Sequence, residues 1–209
     1  MGLKDFFDKA KKEIKVLQGE ETKDKVFSNE QDFPDEASAK EAFERAKKKL
    51  FDVNLWTDLE GINSTFELYD PRGRKTTEPQ PQVGYFVRII LPGTELENWV
   101  DVSSVKEEEN MAEFTVHPSE KPQTLTDNDE VTEHFFTDEA SSTFRVVLEG
   151  KTLRAYEIGK NERINNQGEE AGDRKIMNTM IAEGGWAGFQ DLQWEKLTRY
   201  LVHLEEADH

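Results

Sequence analysis

The sequence predicts an α+β fold: an antiparallel β-sheet wrapped on a long C-terminal helix, with two small helices after the first strand and an extra amphipathic helix at the N-terminus. Two observations predict it. Residues 173–205 are the longest stretch that reads as helix, with one interruption. Residues 64–158 hold six or seven short alternating segments separated by turn signals, with no helix between successive strands. That order gives hairpins, not βαβ units, and so an antiparallel sheet. A sheet with one apolar face must be covered, and the only element long enough to cover it is the terminal helix.

Leu3, Phe6, Phe7, Ala10, Ile14 and Leu17 form one helical stripe, opposite a lysine-rich face. Residues 1–20 are therefore expected to be an amphipathic helix, tethered through a short polar linker to a single domain over residues 21–209. The stripe packs either on that domain or on a partner or second copy. Residues 26–33 are expected to be a strand. Pro34 and Asp35 then start a helix through Leu50, whose Ala37, Ala39, Ala42, Phe43, Ala46 and Leu50 make a small-residue face. A second short helix is expected over residues 52–60, stopped by Gly61.

From Ser64 the texture becomes β. Residues 64–69 end at Asp70-Pro71-Arg72-Gly73, a turn signal. In residues 83–91 Val83, Tyr85, Val87, Ile89 and Leu91 alternate on one face, with Gly84, Phe86, Arg88 and Ile90 on the other. Strands are expected at 98–105, 111–117, 131–137, 142–148 and 152–158, the last two joined by a hairpin turn at Glu149-Gly150-Lys151. In the terminal helix Ile176, Met177, Met180 and Ile181 share one face, and Trp186, Phe189, Leu192, Leu197, Tyr200, Leu201 and Leu204 share another. The two faces are displaced by roughly half a turn. Gly184 and Gly185 sit at the junction, where a helix can kink or two helices can meet.

Composition narrows the function. The 209 residues carry 44 acidic and 27 basic side chains, a net charge of −17. Such a surface repels the phosphate backbone of nucleic acids and an anionic membrane surface alike. With no cysteine, disulfides, thiolate catalysis and cysteine-based metal sites are excluded. No run of apolar residues is long enough to span a bilayer, and no apolar signal region follows Met1, so a cytoplasmic protein is expected. Thirteen phenylalanines and four tryptophans argue for a packed core.

Residues 51–59 (FDVNLWTDL) and 185–204 (GWAGFQDLQWEKLTRYLVHL), taken with the element order, resemble the START-like (SRPBCC) superfamily and its helix-grip fold. The first stretch is similar to the tryptophan-bearing second-helix region. The second is similar to the start of the last helix in members related to heat-shock-protein ATPase activators. The resemblance covers about residues 26–205 and implies a cavity between sheet and helix that often holds an apolar or aromatic ligand. The N-terminal helix, a polar first strand and one additional strand between residues 131 and 158 depart from the family pattern.

No catalytic residue, metal site or cofactor is expected from the residues. His117, His134, His203 and His209 lack zinc-ligand spacing, and Asp127-Asn128-Asp129-Glu130 lacks the glycine and terminal glutamate of a calcium loop. No nucleophile elbow, P-loop or dinucleotide fingerprint occurs. The expected function is binding of an apolar or aromatic small molecule or lipid. Tyr85, Val87 and Ile89 are expected on the sheet side of the cavity and Met177, Met180, Ile181 and Phe189 on the helix side. Trp99 and Trp186 are candidates for stacking, and His117 and His134 for polar contacts. Arg88 is either a solvated outer-face residue or an anchor for an anionic ligand. Two other classes stand beside this one: a protein-interaction module with no pocket, and a cyclase- or hydrolase-type enzyme on the same fold. Monomer and homodimer are both open.

Overall fold

The computed structural model of this chain describes residues 23–59, 64–90, 97–122, 139–162 and 185–206. The expected N-terminal helix, the strand at 131–137 and the helical stretch at 173–184 lie outside the described residues.

The first helix, α1 (Glu36–Phe51), starts where the sequence supplies a cap. The Asp35 carboxylate accepts from the Ser38 backbone N–H at 2.7 Å, satisfying one of the orphan donors of the first turn. Ala39, Ala42, Phe43, Ala46 and Leu50 recur at helical spacing and are all buried. The small residues let α1 lie close on the sheet. At the C-terminal end the Asp52 N–H closes back on Lys48 O, and the chain tightens into a single 3-10 helix, Val53–Asp58. Its Trp56 indole N–H donates to Lys49 O at 2.9 Å, so a side chain takes up one of the last carbonyls of α1. The short helix expected at 52–60 is this 3-10 helix.

Seven strands follow one another around one antiparallel sheet: β1 (Lys23–Asp32), β2 (Thr65–Tyr69), β3 (Phe86–Ile90), β4 (Glu97–Glu108), β5 (Met111–Pro118), β6 (Ser141–Glu149) and β7 (Thr152–Glu162). The order across the sheet is β1-β7-β6-β5-β4-β3-β2. Six strands run as a meander, and β1 closes onto β7 along nearly its whole length, Phe27 opposite Glu157 and Asp32 opposite Thr152. The β6–β7 hairpin turns at Gly150, whose φ of +63° is the left-handed conformation a side chain disfavours. The turn after β2 is built on Asp70, whose carboxylate accepts from the Arg72 and Arg74 backbone N–H groups and from the Arg74 guanidinium. Between Val102 and Ser104 the register of β4 against β5 shifts, a bulge that bends the strand.

The second helix, α2 (Gly185–Leu201), packs on β1 and β7 and touches α1; α1 packs on β6 and β7, and the 3-10 helix on β2. The face of the sheet they cover is the concave one. Four strand spacings separate β6 from β2, about 19 Å on a flat sheet. Yet the Phe66 ring of β2 and the Phe144 ring of β6 both lie on Trp56, at 5.7 and 4.9 Å between centroids. Only a strongly curved sheet brings them to one indole.

Candidate functional site

The concave face is a bowl, and its apolar lining follows from strand alternation. Phe66 and Leu68 of β2, Val87 of β3, Val102 of β4, Ala112, Phe114 and Val116 of β5, Phe144 and Val146 of β6, and Leu153 and Ala155 of β7 all point into it. Trp56 stands at the centre, with Phe66, Phe114 and Phe144 within 5.9 Å. Trp194 of α2 closes over this cluster, its ring 5.4 Å from Phe144 and 6.5 Å from Phe66. Below it Leu197, Tyr200 and Leu201 are fully packed into the same core.

The lining is not equally covered everywhere. Tyr85, Val87 and Ile89 share the inward face of β3 and its approach, as their alternation predicts. Tyr85 and Val87 are buried, whereas Ile89, its neighbour Val100 on β4, and Trp194 remain only partly covered. The Tyr85 hydroxyl donates to Glu78 at 2.8 Å. That bond and burial raise the phenol above its ordinary value.

Polar groups are few in the bowl, and most fasten α2. Asn29 Nδ2 donates to Thr198 Oγ1 at 2.9 Å, and Ser64 Oγ donates to Gln193 Oε1 at 2.7 Å. Lys49 Nζ lies 4.2 Å from the Tyr200 ring and donates to Tyr200 O. Burial, with Glu206 adding to it, pushes the Tyr200 phenol up to about 12. Among the described residues Glu157 on β7 is a further polar side chain on this face, fully buried. Its neighbours across the strands are Phe27 and Phe144, and Trp194 stands on Phe144. The sequence reading does not single out this residue, although the inward series Leu153, Ala155, Glu157, Gly159 carries the signal: a carboxylate at a position where alternation calls for an apolar side chain.

Trp99 and His117, expected in the cavity, stand instead on the convex face. Trp99 pairs with Arg88, while the inward residue Val87 pairs with Val100. Its ring packs edge-on against Tyr69 at 4.9 Å, in a small separate cluster, and its indole N–H donates to Glu97. His117 lies opposite Asp101, one step out of phase with the inward Phe114 and Val116, and its Nδ1–H donates to Ala140 O at 3.0 Å. Burial raises the Asp101 carboxyl, with the nearby His117 working against it. Arg88 takes its outer-face position between Glu67, at 3.0 Å, and Glu97. His134, Met177, Met180 and Ile181 lie outside the described residues. Trp186 and Phe189 fall in the first turns of α2, where only the backbone is described. Among the described residues no group of three or more acidic or histidine side chains could hold a metal ion, and no helix is long and apolar enough to cross a membrane.

No family profile matches the chain, and no curated protein matches it in sequence. Solved structures do. The hypothetical protein jhp0584 of Helicobacter pylori overlays with a TM-score of 0.52 at 12% identity, over 90% of this chain and 92% of that one. Norcoclaurine synthase of Thalictrum flavum overlays at a TM-score of 0.40, 15% identity, and 88% and 98% coverage. Major latex-like protein 151 of Panax ginseng overlays at 0.37, 11% identity, and 77% and 93% coverage. The first overlay shows a shared fold and nothing finer; the other two are too loose to carry an argument.

Proposed function

We propose that this chain is a START-like protein that holds an apolar or aromatic small molecule between the concave face of the sheet and the C-terminal helix. The observation that carries the reading is the incomplete cover over Ile89, Val100 and Trp194. Apolar side chains at the bottom of a bowl are expected to be sealed, because each large one is worth about 1.5–3 kcal/mol when fully buried. Here Ile89, Val100 and Trp194, on β3, β4 and α2, are among five apolar side chains, with Phe33 and Val105, that keep accessible surface beside a closed core, which supports a site lined mainly by apolar groups. Tyr85, Val87 and Ile89 form its sheet wall. Met177, Met180, Ile181, Trp186 and Phe189 are the sequence's candidates for its helix wall.

The test is native mass spectrometry with thermal shift against a panel of lipids and aromatic compounds. Binding by the wild type and its loss in Ile89→Trp, which fills the space without removing core contacts, is the expected result. Absence of any adduct or shift refutes the reading. The five-ring cluster that fills the bowl's centre favours a second reading, an interaction module with no pocket. That reading predicts no small-molecule binding and an Ile89→Trp variant that is destabilised by overpacking.

A further inference from the structure

We infer that the guest is a neutral molecule bearing a carbonyl, and that the side-chain amide of Gln193 receives it. The inference rests on the ligand-binding reading above and deepens it. Gln193 of α2 is only 5% exposed. It begins the inward stripe Gln193, Leu197 and Leu201, spaced four residues apart, whose other two members are fully buried. The sequence places Leu192 on the apolar stripe; in the structure Leu192 is 49% exposed and Gln193 takes the inward position. Packing alone calls for a hydrophobe there.

One end of the amide is in use. Ser64 Oγ donates to Gln193 Oε1 at 2.7 Å, and both residues are buried. A serine hydroxyl needs an acceptor for its proton, so this bond turns the amide oxygen toward Ser64. The Nε2 N–H groups then have no acceptor among the described residues. Fastening α2 to the β2 side of the sheet takes only the oxygen. The donors are left over, and a buried donor without an acceptor is costly. Their position is beside the open part of the bowl. Ser64 stands two residues before Phe66, and Phe66 pairs with Ile89. Trp194, next to Gln193 in the chain, has its ring 6.5 Å from Phe66. The amide thus borders the incompletely covered patch of Ile89 and Trp194.

The chemistry of this group selects the guest. An amide nitrogen offers protons and no lone pair, so an ammonium finds nothing on it to bond. A carbonyl accepts through two lone pairs and has no proton of its own to place. A carboxylate fits badly: shut away from water, it would need a cation or more donors than one amide supplies. The net charge of −17 also repels anions at long range. An apolar body with a ketone, ester or amide carbonyl is the class that remains.

The experiment uses the full-length protein and two matched sets of probes: 4-phenyl-2-butanone, butylbenzene and 4-phenylbutanoate, and 2-octanone, octane and octanoate. Calorimetric titration gives the affinities, and infrared spectroscopy reads the carbonyl stretch of an isotope-labelled ketone on the protein. The ketone of at least one set is expected to bind, with its carboxylate weaker and its carbonyl stretch below the value in hexane. Gln193→Met, of similar length and volume, should weaken the ketone at least about fivefold relative to the hydrocarbon and return the stretch toward the hexane value. Four results overturn the inference and leave the apolar site standing: binding of hydrocarbons without ketones, a carboxylate as tight as its ketone, a ketone-to-hydrocarbon ratio unchanged in Gln193→Met, or a bound carbonyl that vibrates as in hexane. If no probe binds the wild type, both readings fall together. Should Gln193→Met not fold, the carbonyl stretch in the wild type decides.

Discussion

His203 holds a position that favours glycine, and replacing it tests how α2 is fastened. The helix ends in the pattern of a Schellman motif: Leu204 N–H reaches Arg199 O at 2.9 Å and His203 N–H reaches Tyr200 O at 3.1 Å. The residue between helix and exit, His203, has a φ of +64°. A left-handed conformation costs a residue with a side chain about 1–2 kcal/mol. The imidazole offsets it by donating from Nε2 to Ala42 O on α1 at 2.9 Å, which ties the two helices together. Such a bond contributes about 0.5–1.5 kcal/mol net. His203→Gly removes both the strain and the bond and gives the unfolded chain more freedom, worth about 0.4–1 kcal/mol. Its stability near pH 8 should therefore stay within about 1 kcal/mol of wild type. His203→Ala keeps the strain and loses the bond, so it should cost about 1–2 kcal/mol.

The pH dependence discriminates further. Burial lowers the His203 imidazole; the Ala42 carbonyl and Glu206 oppose that, and Lys49 and Arg45 add to it, with a net depression below 6.5. As pH falls through the unfolded value, the unfolded state takes up a proton that the folded state refuses, so the native state loses stability. The stability is fully present above that value and declines below it. Urea melts of wild type, His203→Gly and His203→Ala between pH 8 and pH 5 read this directly, because the effect of the large acidic charge cancels in the differences. Wild type should lose ground to both variants as the solution is acidified. A wild type-minus-variant difference that stays flat with pH, or a His203→Gly variant more than about 2 kcal/mol less stable at pH 8, would refute the account of the cap.

Trp56→Ala should cost about 3–5 kcal/mol in guanidinium unfolding, because three rings lose their common partner. Trp56→Phe should cost about 1–3 kcal/mol, chiefly from leaving Lys49 O without its donor; a loss below this range in both would remove Trp56 from the centre of the core. On the convex face, Glu113 is almost fully buried between Lys106, at 3.0 Å, and Arg145, at 2.5 Å. Burial raises its carboxyl, but the two cations outweigh it and hold the group below its ordinary value. The stability this contributes is present above the unfolded value and is lost as pH falls through the folded one. Arg145→Met should thus lose about 1–3 kcal/mol at pH 7 and close the gap to wild type in acid melts. If the apolar stripe from Leu3 to Leu17 docks on its own domain, as a short tether favours, deleting residues 1–20 should lower the melting temperature without changing oligomeric state. A dimer that becomes a stable monomer on truncation would assign the stripe to an interface instead.

Much of the architecture was legible in the chain because its causes are local. Asp35 caps α1 through an oxygen three residues from its donor, Gly150 turns a hairpin whose strands are its own flanks, and the β segments succeed one another in the order in which they pair. Alternation placed Tyr85, Val87 and Ile89 inward, but not Val83 of the same expected set, which is exposed because the strand begins only at Phe86, after Gly84 turns at a φ of +86°. Alternation, however, gives two faces without saying which is covered. Trp99 and His117 are apolar or amphipathic enough for either side. Their outward placement was decided by pairing with Arg88 and Asp101, on strands whose phase also shifts at the Val102–Ser104 bulge. The same holds for Glu157. Its carboxylate is buried because β1, more than a hundred residues earlier, returns to pair with β7 and brings Phe27 beside it. The curvature that sets Phe66 and Phe144 on one tryptophan is likewise a property of the whole sheet. What the sequence by itself determined were the elements and their order, through periodicity, caps and turns. Which face each strand buries, and therefore which residues meet in the bowl, was decided only when distant strands paired and the sheet curled over its helices.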